Sequence, residues 1–305
     1  SGLDAGADYR VVFDDDRATV LGSFRATTGG SVSGKVVIPA DARTGTRTIA
    51  LLRADDTVAA TADITVLAEQ VYTISSEADL DLLRQHPDGT FELSADITMT
   101  ARWTPVPVFT GELRGNGHVI TDLEIVTANN QGFVAQNNGT IRGLGFVNPV
   151  SRLTVDASAA VVAANNYGTI DQVFVRGGVV TGGHRSGVIV SNNWGTVTNT
   201  YSTGRASGQW ETGGITAWND SSAIVRDNYT TVTVTAAYAN VGSIAGVGNG
   251  GAQITGNVAL AGAVQGTSGN AARLVGVGNP TLRDNLALNT ITVNGWAVNG
   301  GSADN

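Results

Sequence analysis

From Gly132 onward the chain repeats itself, and this constrains its fold more than any other feature. The segments Gly132–Asn138 (GFVAQNN), Ala160–Asn166 (AVVAANN) and Gly187–Asn193 (GVIVSNN) align without gaps. Gly213–Asn219, Gly242–Gly248 and Ala272–Gly278 continue the series, at spacings of 28, 27, 26, 29 and 30 residues. A second line runs in phase through Ile141, Ile170, Val197, Val225, Ile254 and Leu282. Asn or Asp follows most of these by two or three positions: Asn199, Asp227, Asn228, Asn257, Asp284 and Asn285. A unit this short cannot bury its own apolar face, so it must stack on its copies. Each strand then pairs with the same strand above and below. Asn at a recurrent corner can bond along the axis and tolerates left-handed backbone. The expected fold is a right-handed parallel β-helix of seven or eight coils over residues 90–298, roughly 35 Å long at ~4.8 Å per coil.

Two other regions precede the array. Residues 1–69 read as five short strands, Tyr9–Phe13, Ala18–Phe24, Ser31–Ile38, Arg47–Leu52 and Ala60–Val66, separated by Gly-, Pro- and Asp-containing turns. They are expected to form a small immunoglobulin-like β-sandwich acting as a spacer. Residues 70–305 form the second domain. Its start holds the best helix candidate, at about Glu77–Gln85, with serines ahead of it and Leu80, Leu82 and Leu83 on one broad face. This short helix is expected to cap the open N-terminal end of the coil stack.

Composition narrows the function. The chain has no Cys and three His (His86, His118 and His184), so thiolate and multi-His metal centres are excluded and no cofactor is expected. A formal charge of −8 with a single lysine, Lys35, argues against nucleic acid and anionic membranes as partners. No apolar run approaches the ~18 residues of a membrane-spanning helix.

The stretch Phe109–Ile120 (FTGELRGNGHVI) resembles the opening of bacterial surface β-helices, and the repeats after it resemble GLUG motifs: Gly187–Asn193, then Gly195-Thr-Val197, then Asn199-Thr-Tyr201. Departures are Ala160 and Ala272 in place of Gly, and Gly246-Val-Gly248, where Asn is lost, so the last coils are expected to be irregular. The resemblance spans about residues 70–298. Similar arrays occur in the N-terminal region of secreted IgA-specific metallopeptidases and in adhesin-like proteins. It implies an extracellular location, secreted or at the cell surface. Peptidase chemistry is not implied, because the chain contains no HExxH.

Function should sit where polar and aromatic residues interrupt the repeat. One edge, just before successive coil starts, collects Asp156, His184, Arg185, Trp210, Glu211 and Tyr238. Rings beside carboxylates and Arg suit a sugar chain, whose CH groups pack on rings and whose hydroxyls bond to charged planar groups. A solvated loop edge is the alternative. Tyr167 and Trp194 occupy the same turn of adjacent coils, with Trp218 nearby, as either a corner-covering stack or an exposed platform. If the chain is an enzyme, a polysaccharide hydrolase or lyase, Asp156 and Glu211 are its carboxylates. They lie two coils or about 10 Å apart, at the limit of the ~5 to ~9.5 Å that glycosidases use. The favoured reading is a non-catalytic adhesin or carbohydrate-binding module. Its partner is a glycan or host glycoprotein, and it acts as a monomer within a larger surface protein. The alternatives are that enzyme and a rigid stalk.

Overall fold

A computed structural model describes residues 2–14, 16–39, 41–127, 130–153, 156–267 and 269–298. Packing divides the chain into two units, Ser1–Glu69 and Gln70–Asn305.

The first unit is one antiparallel sheet of β1 (Asp8–Phe13), β2 (Asp16–Arg25), β3 (Gly45–Leu52) and β4 (Val58–Val66), in the order β2-β1-β3-β4. Val12, Ala50 and Leu52 form its small buried core. The fifth expected strand, Ser31–Ile38, makes no ladder. It packs across β2 instead, where a Cβ on Gly34 would sit 1.8 Å from the Phe24 ring. Among the described residues the second sheet of the expected sandwich is therefore not formed.

The second unit is a parallel β-solenoid of about six turns. One face stacks nine strands, from Val71–Ile74 to Thr281–Arg283. Leu113, Ile141, Ile170, Val197, Val225, Ile254 and Leu282 are in register along it, so the second periodic line is the inward stripe of this face. All of these are fully buried except Leu282, which is partly buried in the last turn. A second face stacks six strands, from Val134–Asn137 to Val275–Gly278, and a third stacks five short ones, from Ser158–Ala159 to Ala271–Ala272. A branched face of 14 strands closes the coil. Fewer complete turns form than the expected seven or eight because the earliest coils lack the second and third faces. There the chain runs through residues 99–111, attached by single bridges such as Val106 to Val134 and Phe109 to Asn137.

The helical segment lies in the first turn. It is a 3₁₀ turn, Ala78–Asp81, running into one α-turn, Leu82–Gln85. Leu80 and Leu83 are fully buried in the solenoid core. Glu77 anchors the segment: its carboxylate accepts bonds from the Thr100 and Ala101 amides and the Thr100 hydroxyl.

Asparagine does two jobs at separate corners. In the buried ladder Asn137–Asn166–Asn193–Asn219, each side-chain amide donates to the next carbonyl oxygen at 2.8, 2.9 and 3.2 Å. Asn137 pairs with Asn166 rather than with Asn165, so the gapless alignment slips by one residue between the first two repeats. The ladder stops at Gly248, and the Asn219 amide turns to Thr216 Oγ1 and the Val247 carbonyl. The strands nevertheless stay in register through Gly278, so the last coils are more regular than expected. At the other corner, Gly143, Gln172, Asn199, Asp227, Gly256 and Asp284 all have positive φ, between 52° and 66°. The next residues include a second ladder, Asn228–Asn257–Asn285, closed at its lower end by Thr200. The Gly at the repeat's Gly-x-Ile positions has a steric origin. A Cβ on Gly168 would lie 2.0 Å from the Gly139 carbonyl oxygen of the turn below.

Candidate functional site

Strand register brings the unusual residues together. In the five-strand face Ser158, Arg185 and Glu211 are successive register partners, and His184 and Trp210 immediately precede the latter two. In the neighbouring six-strand face Asn165, Asn192, Trp218 and Val247 form the matching column. Tyr167 and Trp194 follow at the next corner.

At the centre is an ion pair. Arg185 Nε donates to Glu211 Oε2 at 3.4 Å, and His184 Nδ1 lies 3.5 Å from the same oxygen. The Glu211 side chain is only 15% exposed, and that of Arg185 26%. Arg185 Nη1 donates to Asn192 Oδ1 at 2.8 Å, and the guanidinium carbon lies 4.9 Å from the centre of the Trp218 ring. Asn192, almost wholly buried, in turn donates to Ser158 Oγ and Asn165 Oδ1. Arg185 is thus held on three sides, by Glu211, Asn192 and the Trp218 ring.

Rings extend the cluster both ways. Trp218 lies 5.2 Å from Trp194, which stacks on Tyr167 at 4.5 Å with an 8° interplanar angle. On the other side His184 is 6.2 Å from Trp210, and Trp210 is 5.3 Å from Tyr238. Tyr167, Trp210 and Tyr238 are 49%, 41% and 53% exposed. The two features that the sequence presents separately are therefore one surface, joined where Arg185 covers Trp218. Parallel stacking uses up the inner faces of Tyr167 and Trp194. Trp210 and Tyr238, tilted by 38°, leave more of theirs open.

Asp156 is not in strand register with this cluster. It is exposed and two residues ahead of Ser158, the register partner of Arg185, so it is out of line with Glu211. The carboxylate pair needed for hydrolysis is not aligned along the axis. Among the described residues no group of three or more His, Asp or Glu is placed to hold a metal ion.

Sequence reasoning missed two things. One is the floor of the site, Asn192, Asn165 and Ser158, whose only signal is the first Asn of the Asn-Asn pairs. The other is a ring ladder on the branched face, Phe174–Tyr201–Tyr229, with 4.9 Å steps and interplanar angles of 1° and 8°. Burial and the neighbouring Tyr229 raise the Tyr201 phenol above its ordinary value. Gly145 precedes Phe174 in that column, where a Cβ would sit 2.2 Å from the ring, so the ladder begins where a side chain is missing.

No family model and no curated protein matches the chain. Among solved structures it is similar to a "putative immunoglobulin A1 protease" from Bacteroides ovatus, with 18% identity and a TM-score of 0.65 over 76% of this chain and 80% of that one. It is also similar to a chain described as IgA1 protease, with 14% identity and a TM-score of 0.52 over 95% of this chain and 27% of that one. It thus spans about a quarter of the second chain's length. At these identities the likeness shows a shared β-solenoid fold.

Proposed function

We propose that this chain is an extracellular, non-catalytic β-solenoid module of the GLUG-motif surface type, and that it binds a glycan or glycoprotein along the edge from Tyr167 to Tyr238. The observation that carries this reading is the continuity of the surface: exposed rings on both sides of one Arg185–Glu211 pair. Apolar ring faces with a fixed polar pair between them suit the alternating CH and hydroxyl surfaces of a sugar. The same fold within a much longer IgA1 protease chain supports a modular role. No helix among the described residues is long and apolar enough to cross a membrane, which is compatible with an extracellular location. The first unit serves as a spacer in this reading.

The polysaccharide-active alternative relies on Asp156 and Glu211. Glu211 is engaged by Arg185, and Asp156 is out of register with it, so binding without turnover is favoured. The test is a glycan panel with product analysis, using wild type, Trp210→Ala and Glu211→Gln. Binding that survives without products, and that either substitution weakens tenfold (about 1.4 kcal/mol), supports the module. Turnover abolished by Glu211→Gln with binding intact establishes the enzyme.

A further inference from the structure

The Arg185–Glu211 pair leaves one donor group and one acceptor unused. Nε and Nη1 of Arg185 are committed to Glu211 and Asn192, and Oε2 of Glu211 accepts from Arg185 with His184 Nδ1 3.5 Å away. Among the described residues Arg185 Nη2 donates no hydrogen bond and Glu211 Oε1 accepts none. These two groups belong to the side chains that the Nε–Oε2 bond joins. The formal charges of Arg185 and Glu211 cancel. Asp220, the next residue in the Tyr167–Trp194 corner column, adds negative charge on that side of the edge, in a chain with a net charge of −8.

From this geometry we infer that the site selects uncharged sugars through a pair of adjacent hydroxyls and discriminates against acidic glycans. The inference rests on the glycan-binding reading above and specifies its substrate class. One hydroxyl accepts from Arg185 Nη2 and its neighbour donates to Glu211 Oε1, so donor and acceptor are matched without net charge. A carboxylate or sulfate can use Nη2 only. It would also bring a second negative charge beside Glu211, and like charges in a partly buried site repel. Specificity here comes from the charge that Glu211 contributes as much as from the bonds it makes.

The test uses matched glycan pairs that differ only in an acidic group: an oligosaccharide and its sialylated, sulfated or uronic counterpart. Wild type is expected to bind the neutral member at least tenfold more tightly. Glu211→Gln keeps the shape and removes the charge, leaving Arg185 uncompensated. The acidic-to-neutral affinity ratio should then rise at least tenfold and fall again with added salt, a change that a merely structural role for Glu211 would not produce. Tighter wild-type binding to the acidic members overturns the inference while leaving the glycan reading in place, as does an unchanged ratio in Glu211→Gln. Binding to no member of the panel overturns both.

Discussion

Asn193→Leu removes the central rung of the buried amide ladder, and the structure shows which groups it strands. Asn193 Oδ1 accepts from Asn166 Nδ2 at 2.9 Å and from the Gly195 amide at 3.2 Å, and Asn193 Nδ2 donates to Asn219 Oδ1 at 3.2 Å. Asn166 Nδ2 keeps contacts with the Gly168 and Thr196 carbonyls, and the Gly195 amide keeps the Asn166 carbonyl. Asn219 Oδ1 has no second donor among the described residues and is left buried and unpaired. An orphaned buried acceptor costs ~1–3 kcal/mol, and weakening the Asn166 amide adds a fraction of that. A total of about 2–4 kcal/mol follows, before any strain from the branched side chain. For a unit of this size each kcal/mol lowers Tm by about 2–4 °C, so a drop of roughly 5–15 °C is expected. The control is Ser191→Ala. Ser191 is buried too, but its hydroxyl makes one bond, to the Arg185 carbonyl at 3.2 Å, so about 0.5–1.5 kcal/mol is expected there. Thermal unfolding followed by circular dichroism separates the two variants. Equal Tm values for Asn193→Leu and Ser191→Ala would refute the ladder as a stabilising element.

Other outcomes follow from the same geometry. Gly187→Ala places a Cβ 1.9 Å from the Val190 carbonyl oxygen, where backbone must shift, so it should destabilise by more than ~2 kcal/mol in urea unfolding, against little change for Gly262→Ala, where nothing lies within 4 Å. Leu83→Ala empties a fully buried position in the helical segment of the first turn and should cost ~2–5 kcal/mol; if that segment caps the coil stack, aggregation should follow, visible by light scattering. The Thr100 hydroxyl, with the Thr100 and Ala101 amides, holds the Glu77 carboxyl below its ordinary 4.5 against the opposing effect of burial. A carboxyl lowered by folding stabilises above its unfolded value and loses that contribution as pH falls through the folded one. Wild type should therefore lose stability on acidification below about pH 4.5, and Glu77→Gln should be less stable at neutral pH but lose less on acidification; parallel pH profiles would contradict the anchor.

The solenoid was legible because its repeat is a steric and hydrogen-bonding requirement on every turn. The Gly168 column, the inward Ile141–Ile254 line and the Asn166–Asn193 rung each recur for one local reason. What was not legible depends on single insertions and on neighbours far apart in sequence. One extra residue near Ala160 pairs Asn137 with Asn166. The loop through residues 99–111 replaces strands in the early coils. Ser31–Ile38 has strand-like composition, yet Gly34 lets it pack against Phe24 outside any ladder. At the site, the residue types on the edge were readable by counting back from each coil start. Such counting could not show that Arg185 reaches across to Asn192 and Trp218, or that Asp156 falls outside the register.

The central claim, that one continuous edge binds a glycan on both sides of the Arg185–Glu211 pair, is tested most directly by titrating the best ligand of a neutral glycan panel into wild type, Trp194→Ala, Trp210→Ala and Tyr229→Ala. The two edge tryptophans lie on opposite sides of the pair, and Tyr229 belongs to the separate ladder on the branched face. Binding should weaken at least tenfold in both tryptophan variants and remain unchanged in Tyr229→Ala. No binding by wild type, or wild-type affinity in both tryptophan variants, would contradict the claim.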